Sequence, residues 1–487
     1  MGFDFTEIGY YYWFLPAVII LTFGILKNNL KKQIIILTVM SYLFFILASG
    51  WHIILLIIST IVDWNSGKKI YETDDKLIKK RWLKFSIIIN LSILAVFKYL
   101  DFIITSIGWA TLKIGNDFNY DEIGLILPIG ISFYTFQTMS YTIDIYREKQ
   151  VPAKNIINFA CYASFFPQLV AGPIVRFDEF RDQIDSTLLF NKRNLKIGIT
   201  LIVYGLVKKM IFADNFAFHA DSVFSDSENL NNTILIYWGA LMFGMQIYCD
   251  FSAYTDIALG SAKILGINLP ENFKSPYSST SPQEFWRKWH ISLSTWLRDY
   301  LYISLGGNRK GKLRMYMAMM ATMVLGGLWH GASWNFVLWG IVHGILLIIH
   351  RLITNREIIK ILKVKFSFTF TIASLFITQW FVFLTWIIFR VEDASDLIRS
   401  IQSYLFINSE LNIELAFNAM PGKNIFIGFL AIFFVISQLM TSLNKISLKY
   451  QISNYNDAVW GGLIGIMAIS IWLFKPEEVV SFIYFRF

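Results

Sequence analysis

Two histidines in one stretch, His290 and His330, are the side chains with the most chemistry to offer. The stretch Glu284 to Phe336, EFWRKWHISLSTWLRDYLYISLGGNRKGKLRMYMAMMATMVLGGLWHGASWNF, opens with Arg287, Lys288 and His290 among Phe285, Trp286 and Trp289, and closes in an apolar segment that holds His330. An ionisable group inside an apolar membrane segment is costly, so its first reading is functional. A neutral imidazole in a dry, narrow site is well suited to take the proton of an alcohol as that alcohol attacks an activated acyl carbon, a contribution of about 10²–10⁴-fold. The remaining acceleration would come from holding donor and alcohol together and from hydrogen-bond donors aimed at the developing oxyanion. Nearby in the chain, Asn335 and Trp334 could sit close to such a site, though the sequence does not identify the donors. The competing reading of His330 is a buried histidine satisfied by a neighbouring group. His343, four residues after Trp339 on a glycine-flanked face, reads as packing, and His350 beside Arg351 as a helix-end charge. His52 and His219 carry no chemical signal. No phosphate-binding glycine loop, nucleophile-elbow serine or metal-ligand spacing occurs, so neither a metal nor a bound cofactor is expected. Cys161 and Cys249 sit apart in apolar surroundings.

The chain that must position these groups is 55% hydrophobic and only 16% charged over 487 residues, against roughly 25% charged in soluble domains. Apolar segments recur from end to end with no long polar stretch between them. This implies an all-α polytopic membrane protein, a single integral membrane domain over residues 1–487 with about ten to twelve membrane segments. The net charge of +9 arises from Lys and Arg in short loops, as the positive-inside rule requires, and does not call for nucleic acid. The first apolar run, Tyr10 to Leu26, reads as a retained helix, since it lacks a basic leader and a small-residue cleavage site.

Gln33 to Val62 is apolar for about thirty residues with a break at Ser49-Gly50-Trp51, which reads as two arms of roughly 20 Å each, short for a bilayer core of about 30 Å. A thinned membrane or re-entrant pair is expected there. Lys98 and Asp101 stand at ion-pair spacing, and an acidic loop with Asp117, Asp121 and Glu122 follows. Ile156 to Val175, interrupted by Pro167 and Gly172-Pro173, reads as a second re-entrant element. Lys208-Lys209 sits mid-segment, implying a break or snorkelling. Asp250 and Asp256, six apart, fall on different faces of a helix and make no obvious dyad.

Residues 268–314 read as a cytoplasmic, interfacial helical loop carrying His290. Phe285, Trp289, Leu293, Trp296 and Tyr300 form an apolar stripe beside Arg287, Lys288 and Arg298. His290 shares a line with Trp286, Leu293 and Leu297 and should point inward, and Ser281 with Glu284 makes a capping box. His330, about fifteen residues up the next segment, would lie roughly 22 Å from its cytoplasmic end. Gly326, Gly327 and Gly331 on that segment, and Gly340 and Gly344 on the next, allow close backbone approach. The last spans look like scaffold.

PENFKSPY, EFWRKWHISLSTWLRDYLYISLGGNRKG and LGGLWHGASWNFVLWGIVHG, with the upstream LPIGISFYTFQTMSYTIDIYR and FFPQLVAGPIVR, resemble the membrane-bound O-acyltransferase family, in the branch of alginate and peptidoglycan O-acetyltransferases. The similarity runs in order from about residue 10 to 350. It implies a helical shell with re-entrant short helices around a thin central tunnel, joining a cytoplasmic donor side to an external acceptor side in the plasma membrane. It implies His330 as the catalytic base and His290 as a second histidine on the cytoplasmic side. Trp329, Asn335, Trp289, Arg287 and Arg298 become candidates to bind substrate. The implied donor is an acyl thioester such as acetyl-CoA, and the acceptor an extracytoplasmic hydroxyl or a relay partner protein. The alternatives are D-alanyl transfer from a carrier-protein thioester, a transporter, and a non-catalytic export scaffold; a transporter would require internal inverted repeats, which are not found.

Overall fold

Helix is the only extended regular structure among the described residues, as expected where lipid offers backbone groups no partner and each segment must pair its own. The computed structural model describes residues 3–27, 29–115, 123–354, 356–407, 409–420, 422, 424–444, 447–477 and 480–485. Asp117, Asp121 and Glu122 therefore lie outside the described residues. Among those described, seven helical stretches are long and apolar enough to cross a membrane: Leu30–Glu72, Lys76–Lys113, Thr233–Ile264, Trp334–Thr354, Ser367–Arg390, Ile425–Leu443 and Asp457–Phe474. The chain's contacts group into two compact units, Met1–Ile202 with Ile257–Pro270, and Val203–Asp256 with Glu271–Phe487.

In the first unit the expectation of two short arms is corrected. Leu30–Ser49 and Ile53–Glu72 have 20 residues each, about 30 Å at 1.5 Å per residue. They exceed the apolar run because each continues into flanking polar residues, Lys31 and Lys32 on one side, Lys68 and Lys69 on the other. Gly50, at φ +61°, makes the break between them. Ile156–Ser164 and Phe166–Leu169 are short as expected, and residues 159–175 are buried, so protein covers the irregular backbone that follows them. Asp101 accepts the backbone N–H groups of Ile123 and Gly124 at 2.9 and 3.1 Å, while Lys98 reaches the Ser132 hydroxyl at 3.5 Å.

In the second unit, Lys312–His330 and Trp334–Thr354 pack at glycine-limited distance. A Cβ on Gly327 would come within 2.1 Å of the Phe336 carbonyl, and one on Gly340 within 2.4 Å of the Met323 carbonyl. That approach sets where the end of the first helix, and so His330, must lie. Lys208 and Lys209 interrupt the α-helix, as read from the sequence, but do not snorkel. They open a π-helical segment, Lys208–Ala213, and turn inward to the two aspartates of Thr233–Ile264. Lys209 lies 3.0 Å from Asp250 and Lys208 2.5 Å from Asp256. In a low-dielectric interior, pairing is what makes such charges tolerable.

Candidate functional site

His290 owes its place to a break that the apolar stripe concealed. Two short helices, Pro282–Lys288 and Ile291–Trp296, meet at His290, whose φ of 41° and ψ of 58° are left-handed. Such a conformation strains a non-glycine residue and persists only when its surroundings hold it. Asn272 does much of that: its carbonyl accepts the Ile291 N–H at 2.9 Å and its side-chain oxygen the Ser292 N–H at 3.1 Å. Ser281 caps the preceding helix through the Glu284 N–H at 3.2 Å, and the Glu284 carboxylate turns back to the Thr280 N–H and hydroxyl, both at 2.9 Å. The turn aims His290 inward, where it is fully buried.

His330 closes the Lys312–His330 helix and is also buried. The two imidazole centroids are 6.5 Å apart, inclined at 54°, a spacing at which one small reacting group, about 3 Å from each ring edge, could touch both. Aromatic rings form the box around them. Trp329 lies 5.1 Å from His330 and 5.6 Å from His290, and Trp339 and Phe389 lie 5.1 and 5.4 Å from His330. Phe251 meets His290 edge to face at 4.7 Å. Burial pushes the His290 imidazole down to about 3, so it is neutral at physiological pH. His343 stacks on Phe285 at 6.2 Å and packs on Trp339 at 4.4 Å, as its packing role requires.

Of the side chains expected to bind substrate, the structure brings Trp329 to both histidines and places Trp289, buried, in the aromatic layer behind His290, against Trp386 at 4.9 Å and Phe273 at 5.1 Å. Arg287 is exposed, and the largely exposed Arg298 pairs with its neighbour Asp299 at 2.7 Å. Asn335 donates its amide hydrogens to the Val391 and Glu392 carbonyls at 2.7 and 2.9 Å, and Trp334 is exposed. Asn335 and Arg298 are engaged elsewhere, and none of these four residues is among the rings that box the imidazoles.

One neighbour carries no sequence signature of its own. Tyr484, on the short 3₁₀ turn Ile483–Phe485, lies 5.7 Å from His330 and 6.5 Å from His290, and packs on Phe251 at 4.2 Å. Its buried hydroxyl makes no hydrogen bond among the described residues. The one available signal is the run of aromatic residues Phe482, Tyr484 and Phe485 beyond the last span. Phe389 likewise comes from a helix that reads as scaffold.

The arrangement has the groups to activate a hydroxyl and to shield an acyl group from water. Residues 149–392 match the model of the membrane-bound O-acyltransferase family. The chain is 38% identical over 402 residues, 80% of its length and 77% of the relative's, to a protein of Pseudomonas putida named probable alginate O-acetylase AlgI. It is 35% identical to the peptidoglycan O-acetyltransferase of Helicobacter pylori, over 73% of this chain and 70% of that one. A teichoic acid D-alanyltransferase of Streptococcus thermophilus is 30% identical over 46% of this chain and 56% of its own.

Proposed function

The chain belongs to the membrane-bound O-acyltransferase family and is a multi-pass O-acyltransferase, and from that premise we propose that it moves an acetyl group from cytosolic acetyl-CoA to a hydroxyl on the far side of the plasma membrane. The hydroxyl belongs to a cell-surface polysaccharide or to a partner protein that relays the group. His330 is the general base. The acceptor oxygen attacks the thioester carbonyl carbon while its proton passes to His330; the carbon–sulfur bond then breaks and the thiol leaves with that proton. His290, neutral and rigidly turned inward, holds the other side of the reacting group. The observation that carries this reading is the pair of buried imidazoles 6.5 Å apart in one aromatic box. The longer similarity to O-acetyltransferases than to the D-alanyltransferase supports acetyl as the group moved.

The test uses membrane vesicles carrying the full chain, supplied with acetyl-labelled coenzyme A, and cells whose surface polymer is assayed for base-labile acetate. Label should reach the acceptor fraction with the wild-type chain and not with His330→Ala. Transfer only from a D-alanyl carrier-protein thioester would replace the donor assignment, and undiminished surface acetate with His330→Ala would reject the catalytic one.

A further inference from the structure

The turn that brings Tyr484 to the histidines has little to hold it by itself. It is three residues of 3₁₀ helix, an arrangement with poor hydrogen-bond geometry of its own. Its hold comes from a buried ionic group on two other elements. The Lys209 ammonium lies 2.7 Å from Asp214, 3.0 Å from Asp250 and 2.6 Å from the Val480 carbonyl. The other Asp250 oxygen accepts the Ile483 N–H at 2.7 Å. Lys209, Asp214 and Asp250 are all buried, where charge-assisted hydrogen bonds are strong and the loss of one partner is severe. Ring packing continues the hold, Phe482 on Tyr254 at 4.5 Å and Tyr484 on Phe251 at 4.2 Å.

The neighbouring lysine gives the contrast. Lys208 and Lys449 share Asp256, at 2.5 and 2.8 Å, and Lys449 also reaches Glu271 at 3.2 Å. That group joins side chains of the scaffold, whereas the Lys209 group grips the backbone of residues 480 and 483.

We propose that Lys209 and Asp250 are positioning residues for acyl transfer, a buried clamp that fixes Tyr484 in the wall of the two-histidine site. The proposal rests on the reading of that site as the place of acyl transfer. The clamp acts through the Tyr484 ring and need not touch the reacting atoms. Its loss lets the 480–485 turn leave the box, opening His330 and His290 to water and misplacing whatever they hold.

The experiment has a readout independent of chemistry. Tyr484→Cys is introduced into the full chain, and the rate of maleimide labelling at position 484 is followed in membranes by peptide mass spectrometry. Cys161, buried in the first unit, reports on global folding. Lys209→Met should raise labelling at 484 by about tenfold or more while Cys161 stays shielded. Ile483→Pro, which removes the N–H that Asp250 accepts together with the buried Ile483 side chain and suits the first position of a helical turn, should do the same, whereas Ile483→Ala, which trims the side chain and keeps the N–H, should not. Lys449→Met should not. With Tyr484 intact, Lys209→Met and Ile483→Pro should lower kcat by about tenfold with the KM for acetyl-CoA little changed. If Lys209→Met also exposes Cys161, Ile483→Pro decides. Position 484 staying shielded and kcat unchanged in a folded variant overturns the clamp. Loss of transfer in His330→Ala alongside a shielded 484 thiol in Lys209→Met would leave the catalytic reading standing without it, and exposure of 484 with an active His330→Ala would do the reverse.

Discussion

Two buried polar centres in this chain meet the same membrane problem in different ways. In the first unit Asp63 is buried among neutral hydrogen-bond partners: Ser86 donates at 2.6 Å and the Asn90 amide at 2.9 and 3.0 Å, Ser59 donates to Asn90 at 2.6 Å, and Thr138 and Thr142 close the network at 3.1 and 3.0 Å. Three helices, Ile53–Glu72, Lys76–Leu94 and Ile131–Tyr146, are joined by it. In the second unit the imidazoles of His290 and His330 are enclosed by rings, with Trp329, Trp339, Phe389, Phe251 and Tyr484 around them. A carboxylate whose oxygens are taken up by protein donors is mortar between helices. On the function proposed, a histidine pair boxed by aromatic surfaces is a place held for a reactant, and the two should answer differently to mutation.

The severest challenge to this contrast is steric. Gly327→Val would drive a side chain into the Phe336 carbonyl, which is backbone and cannot yield cheaply; folded protein should fall below detection in detergent extracts, and near-normal yield would show that the helix approach does not place His330. Asp63→Ala leaves the Ser86 and Asn90 donors without their acceptor and should cost about 1–3 kcal/mol of stability, seen as a lower melting temperature while the transfer rate per folded molecule is kept. A loss of rate without a loss of stability would place chemistry in the first unit. Asn335→Ala removes two bonds to the Val391 and Glu392 carbonyls and should cost about 1 kcal/mol, with the KM for the donor little changed; a large rise in KM would restore Asn335 to the substrate path. The last test concerns pH. His290 has its imidazole held down to about 3 by burial, against 6.5 when unfolded, so the unfolded chain binds the extra proton first. Its contribution to stability is full above about 6.5 and declines as pH falls below that. His290→Gln should flatten the acid side of the melting-temperature profile, and an unaltered slope would argue that this ring is wet.

The helices, the glycine-lined pairing of Lys312–His330 with Trp334–Thr354 and the inward aim of His290 are legible in the sequence because hydropathy, glycine spacing and helical periodicity are local signals. The break at His290 is not, since one apolar stripe runs unbroken through Phe285, Trp289 and Leu293 while the backbone reverses sign between them under the hold of Asn272, a residue eighteen positions away in sequence. The arms around Gly50 read too short because the polar residues at their ends look like loop. The partners of Asp250 and Asp256 are hidden because ion pairs between distant segments leave no periodicity, and Tyr484 is hidden because its importance comes only from where Lys209 and Asp250 tether it. Long-range contacts made by short elements are what a one-dimensional pattern conveys least.

The most direct measurement places His330→Ala and Asp63→Ala side by side, recording for each the initial rate of labelled acetyl transfer per folded molecule and the melting temperature. General-base assistance by His330 requires its variant to lose about 10²–10⁴-fold in rate at nearly unchanged melting temperature, while the Asp63 variant melts earlier and transfers normally. A His330→Ala chain that transfers acetyl at the wild-type rate would contradict the account.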